Sequence, residues 1–135
     1  MTLRRLAVRT RAFASAVVGM VEDLPRGRTT DMIGLQLLRA GTSVGANYRA
    51  ACRARSRKEF IAKMGIVEEE GDECQFWLDL LRERGIAESE RISSLHREAG
   101  QIVAMTVSSI RTARQASRST PHSALRTPHL ERGCS

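Results

Sequence analysis

Apolar residues recur along most of this chain at alternating steps of three and four, the spacing that gathers them on one face of an α-helix. From about Leu3 to Asp23 the stripe is Leu3, Leu6, Phe13, Val17, Met20 and Leu24, with Thr10 filling its polar slot. A second stripe uses Ile33, Leu37, Ala40, Val44, either Asn47 or Tyr48, and Ala51, in a segment opening near Thr29, Thr30 or Asp31, each able to cap a helix. A third runs through Phe60, Met64, Val67, Gly71, Cys74, Leu78 and Leu81. A fourth uses Ile92, Leu95, Ala99, Ile102, Thr106 and Ser109 or Ile110. The pattern predicts four amphipathic helices.

The punctuation between the stripes agrees. Leu24-Pro25 stops the first segment, because the residue before a proline is pushed out of the helical region, and Arg26 to Arg28 form the turn. The second ends around Ala54 or Arg55. Ser56 stands three residues before Glu59, so its hydroxyl can accept from a free amide of the first turn while the carboxylate reaches back. The third segment then spans Arg57 to about Arg84 and closes at Gly85, a residue suited to a left-handed C-cap position. The fourth opens near Glu88 or Ser89 and is expected to fray between Arg114 and Ser119.

Segments of about 20 to 28 residues are about 30 to 40 Å long, and short connections force neighbours to run antiparallel. Alternating β-branched runs and Asn-Gly hairpin turns are missing from the sequence. The expected fold is all-α: an antiparallel up-down-up-down four-helix bundle over residues 1–116 with a disordered C-terminal tail, basic in charge, over 117–135. The tail holds Ser, Thr, Pro, His and Arg with few apolar residues, too few to offset the entropy of ordering. Gly34, Gly41 and Gly45 in the second helix, Gly65 and Gly71 in the third and Gly100 in the fourth each cost up to about 1 kcal/mol relative to alanine. Close helix packing would offset that, and Gly41 and Gly45 share a face.

At 135 residues the chain fits one domain. Its formal charge of +7 and sequence pI near 10.6 favour an acidic partner: nucleic acid, an acidic protein face or an anionic membrane. Arg4, Arg5, Arg9 and Arg11 ahead of the run Ala12 to Val21 give a flavour of a targeting peptide, but the helical seam continues straight through that run. No stretch reaches the roughly 20 apolar residues of a membrane span. The three cysteines form no CxxC and no zinc-spaced cluster. Cys52 and Cys74 read as small core residues, and the set as reduced thiols of a cytoplasmic protein.

Candidate chemistry is concentrated where the second helix meets the third. Arg49, Arg53, Arg55, Arg57 and Lys58 surround one corner, the clustering that phosphate contacts need; a solvated charged face is the competing reading. Arg4, Arg5 and Arg11, with Arg111, Arg114 and Arg118, extend the patch if the first and fourth helices bring them near. Tyr48 is the nearest aromatic, so base reading of single strands is not indicated. Glu68, Glu69, Glu70, Asp72 and Glu73 crowd the middle of the third helix, but a bundle iron or manganese site would want Glu-x-x-His repeats, and none occurs. No metal, cofactor or catalytic residue is expected: Cys74 is a seam residue, His96 stands alone in the folded part, and phosphate loops and nucleophile elbows are missing. Ile66, Phe76, Trp77 and Leu80 widen the apolar surface of the third helix beyond one stripe, which points to an oligomer interface. Alternatively a broad core takes in Trp77 and Leu80.

Taken in order, Ser43-Val44-Gly45-Ala46-Asn47-Tyr48-Arg49, Ser56 with Glu59-Phe60-Ile61, Lys63-Met64, Ile66-Val67-Glu68-Glu69, Asp72-Glu73, Trp77-Leu78, Glu98-Ala99 and Thr112-Ala113-Arg114 resemble the four-helix-bundle family of the proteins encoded by intervening sequences in bacterial 23S rRNA genes. The resemblance covers nearly the whole chain up to Arg114. One departure is Ala50, where the family often carries an acid. The family, and the similar accessory proteins of diversity-generating retroelements, form pentameric rings. The resemblance therefore implies a homopentamer whose basic surface touches RNA, DNA or a partner such as a reverse transcriptase. The expected function is a non-enzymatic nucleic-acid-binding bundle; the alternative is a protein-interaction scaffold for a partner enzyme.

Overall fold

In the computed structural model, which describes residues 3–119, four helices follow one another: α1 (Leu3–Glu22), α2 (Arg28–Cys52), α3 (Arg57–Glu83) and α4 (Ser89–Ser119). Residues 120–135, which include Cys134 and most of the expected tail, lie outside the described residues. α4 continues to Ser119, the far limit of the fraying expected between Arg114 and Ser119.

The helices run up-down-up-down. The start of α1 meets the end of α2, where the Tyr48 hydroxyl donates to the Leu3 carbonyl at 2.6 Å. Arg39 of α2 bonds Glu70 and Glu73 of α3, and Gly100 of α4 faces Gln75 of α3. α1 closes the bundle against α4 through Arg9, whose guanidinium donates to Glu98 and Gln101, and through Arg91 to Asp23 at 2.9 Å. The hydrogen bond to Glu98 is also the main reason the Arg9 pKa is raised.

All four stripes turn inward. Phe60, Met64, Val67, Gly71, Cys74, Leu78 and Leu81 are buried, and so are Ile33, Leu37, Ala40, Val44 and Ala51. Tyr48, not Asn47, takes the inward slot of α2; Asn47 turns its amide back to Ser43. In α4 Ile110 takes the slot rather than Ser109, and Ala113 adds a turn. The two buried threonines satisfy themselves within their helices: Thr10 donates to the Ala7 carbonyl at 3.2 Å and Thr106 to the Ile102 carbonyl at 2.7 Å. A hydroxyl so bonded can occupy a core slot at little cost.

Glycines set the helix spacing. A Cβ on Gly41 would lie 2.7 Å from a Val17 methyl, one on Gly45 3.3 Å from the Ala14 Cβ, and one on Gly71 2.7 Å from a Val103 methyl. Gly65 differs, with nothing within 4 Å of its Cβ position.

The caps depart from expectation in detail. α2 begins at Arg28 behind Gly27, which makes no side-chain cap; Asp31, expected as a cap, lies in the first turn and accepts from the Gly27 amide at 3.4 Å. Thr29 and Thr30 lie inside the helix. Ser56 does cap α3, accepting from the Glu59 amide at 3.0 Å, while the Glu59 carboxylate reaches one residue further upstream, to the Arg55 amide. At the far end Gly85, with φ +62°, donates to the Arg82 carbonyl and Ile86 donates to that of Leu81. This paired closure is a Schellman motif. Cys74 is a free, buried thiol, but Cys52 is disulfide-bonded, so the expectation of reduced thiols fails there.

Candidate nucleic-acid interface

The antiparallel order brings the first turn of α1, the last of α2, the first of α3 and the last of α4 to one pole. Arg4 and Arg5, Arg49 and Arg53, Arg55 and Lys58, and Arg118 belong to these four ends, with Arg114 and Arg111 one and two turns back along α4. Arg49, Arg53, Arg55, Lys58, Arg111, Arg114 and Arg118 are exposed, and among the described residues none of them forms an ion pair. Elsewhere pairing is mixed: Arg9, Arg26, Arg39, Arg82 and Arg91 are each matched with a carboxylate, whereas Arg28, Arg84 and Arg97 are exposed and, among the described residues, form no ion pair. Hydrogen bonding to Glu70 is the main reason the Arg39 pKa is raised, with the Glu70 and Glu73 charges acting in the same direction.

Arg57 does not join the exposed cluster. It is buried, with 8% of its surface exposed. The reason lies in register: Arg57 falls three residues before Phe60 and seven before Met64, on the buried face of α3. That signal is in the sequence, and charge clustering alone overlooks it.

Two grooves flank the pole. Between α3 and α4, a groove of about 320 Å³ has Val107 and Ile110 in its lining together with Arg111, Arg114, Arg118 and Glu68. Between α1 and α2, where Gly45 lets the backbones approach, a groove of about 500 Å³ is lined by Ala7, Ala14 and Ala46 with Arg11, Arg49 and Arg53.

The acids of α3 are partly committed within the bundle: Glu70 and Glu73 hold Arg39, and Glu73 also accepts from the Trp77 indole at 3.2 Å. His96 faces Asp79 at 3.2 Å. No group of three or more His, Cys, Asp or Glu residues able to hold a metal occurs among the described residues. Burial pushes the Cys74 thiol up to about 12, with Glu70 and Glu73 acting the same way and Arg39 against them. A thiol so held is a poor nucleophile.

Of the residues expected at an oligomer interface, Phe76 is 54% exposed and Ile66 is half-buried. Trp77 and Leu80 pack against this chain's own core, with Trp77 edge-on to Phe76 at 5.0 Å between centroids. The broad-core reading accounts for those two. Among the described residues no helix is long and apolar enough to cross a membrane.

The model of the 23S rRNA-intervening sequence protein family matches residues 5–108. A crystal structure of a protein of unknown function from the S23 ribosomal protein family of Bacteroides thetaiotaomicron is similar to this chain, with 31% identity and a TM-score of 0.77. The match covers 82% of this chain and 99% of that one. No curated protein matches the chain. The chain belongs to the 23S rRNA-intervening sequence protein family.

Proposed function

We propose that this family member is a non-enzymatic nucleic-acid-binding protein that assembles as a homopentameric ring and binds RNA or DNA through its basic pole. The observation that carries the reading is the clustering of exposed cations at one end of the bundle. Seven exposed cations gather there, Arg49, Arg53, Arg55, Lys58, Arg111, Arg114 and Arg118, and among the described residues none has a carboxylate partner, whereas Arg9, Arg39 and Arg91 are neutralised within the bundle. Unneutralised, clustered cations gain most from phosphate, because each contact releases a condensed counterion.

Titration of a labelled structured RNA tests this against the quadruple variant Arg49→Gln, Arg53→Gln, Arg55→Gln, Lys58→Gln. Arg57 stays, since it is buried. Affinity should fall and the slope of log K against log salt should flatten by about 1 for each phosphate the variant no longer neutralises. Unchanged affinity and slope would remove the pole from the account.

A second reading, an accessory subunit for a partner enzyme such as a reverse transcriptase, is favoured by the α1–α2 groove, whose small floor and cationic rim suit an acidic helix. A protein partner that stays bound after nuclease treatment, and is lost on Ala46→Trp, would favour it.

A further inference from the structure

Every aromatic residue of the sequence lies within the described helices, and none is available to stack at the pole. Phe13, Tyr48 and Phe60 are 2%, 1% and 4% exposed, and the Tyr48 hydroxyl is held by the Leu3 carbonyl. Phe76 and Trp77 stand about 27 Å up α3 from Lys58 at the helical rise per residue.

Binders of single strands combine a cationic track with aromatic faces on which successive bases stack. The pole has the cations without the faces. A flexible single strand would therefore have to be ordered with no aromatic face to offset the loss of freedom. A duplex arrives with its phosphates already spaced and with the higher charge density, so it returns more counterions for each contact. Acidic neighbours limit the track as well: Glu68 lines the α3–α4 groove beside the arginines, and Glu69 is exposed one residue on. The cations form a corner rather than a channel along which a strand could be threaded.

Resting on the nucleic-acid reading above, we infer that the ligand of the basic pole is a nucleic-acid duplex, gripped by its phosphates and bound without regard to base sequence. Arg111, Arg114 and Arg118 follow one another at steps of three and four on α4, a stripe about 10 Å long that can lie along one phosphate strand. The cations at the end of α2 and start of α3 stand across the pole from it.

The test is fluorescence anisotropy with the full chain and four probes of equal length: an RNA duplex, a DNA duplex of the same sequence, an RNA duplex of scrambled sequence, and the single RNA strand. Both RNA duplexes should bind equally and at least about tenfold more tightly than the single strand at about 0.1 M salt, with the steeper salt dependence. Arg111→Gln with Arg114→Gln should flatten the duplex slope by about 2 while leaving the far-ultraviolet circular dichroism unchanged. A preference between the RNA and DNA duplexes identifies the source and still supports the inference. Single-strand binding as tight as duplex binding, or a strong effect of scrambling, overturns the inference and leaves nucleic-acid binding standing. Failure of all four probes overturns the broader reading as well.

Discussion

Gly41 and Gly65 occupy equally helical positions and should respond to alanine with opposite signs. At Gly41 the new methyl would meet Val17, itself fully buried, at 2.7 Å, so α1 must shift or the valine must leave its rotamer. Such overpacking costs about 1 to 3 kcal/mol. At Gly65 the Cβ position is open, and Gly65→Ala should stabilise by about 0.5 to 1 kcal/mol by narrowing the freedom of the unfolded chain. Urea midpoints of the two variants check this: the first should fall and the second rise. Cys74 gives a pH signature at the same scale. Its folded-state pKa is raised to about 12, so above the unfolded thiol's pKa, near 8.5 to 9, the unfolded chain loses a proton that the folded chain keeps. The stability contributed by the protonated thiol is fully present below that range and declines as pH rises from about 9 towards 12. Reaction with a thiol reagent at pH 8 should be slow in the native protein and fast in denaturant. Native labelling at the denatured rate would show the site open.

At the scale of the helix, the ends of α3 are independently testable. Ser56→Ala removes the acceptor for the Glu59 amide and should cost about 1 kcal/mol; Gly85→Ala forces a Cβ into the left-handed region at φ +62° and should cost about 1 to 2 kcal/mol. The two lie at opposite ends with separate partners, so the double variant should show nearly the sum. An excess beyond about 0.5 kcal/mol in thermal or urea unfolding would show the ends to be coupled. Both caps were legible in the sequence because each depends on one residue's chemistry at a fixed offset. The α2 cap was not: three candidates followed one another, and the helix starts ahead of all of them, at Arg28, with Asp31 reaching back to Gly27. Register was legible wherever an apolar residue had no rival. It was ambiguous where two neighbours could serve, as at Asn47 and Tyr48, and there the phenol wins because its hydroxyl finds the Leu3 carbonyl. Arg57 shows the limit for the site. Charge clustering is a one-dimensional signal, whereas exposure depends on which side of the helix each cation falls.

For the whole molecule, the exposed large apolar side chains among the described residues decide where a neighbouring subunit could attach. They are Val8, Met32, Leu35 and Phe76. Arg39 is bonded to Glu70 and Glu73, so α2 one turn before Arg39 lies level with α3 one turn after Glu73, which brings Leu35 and Phe76 to the same height on the α2–α3 flank, with Met32 a further turn along. Val8 is on α1, outside that flank. A ring is built from two different complementary surfaces on every copy, so spoiling one of them breaks every contact at once. In the proposed assembly Phe76→Asp and Leu35→Asp should each bring the light-scattering mass down to that of one chain. Neither aspartate touches the buried stripe, so helicity should be retained in both. Tryptophan fluorescence adds a second reading, since Trp77 packs edge-on against Phe76 and should shift on assembly in the parent chain but not in Phe76→Asp. An assembly that survives both flank variants would have to be held through other surfaces, and the wide apolar face of α3 would then serve only its own core, as Trp77 and Leu80 already do.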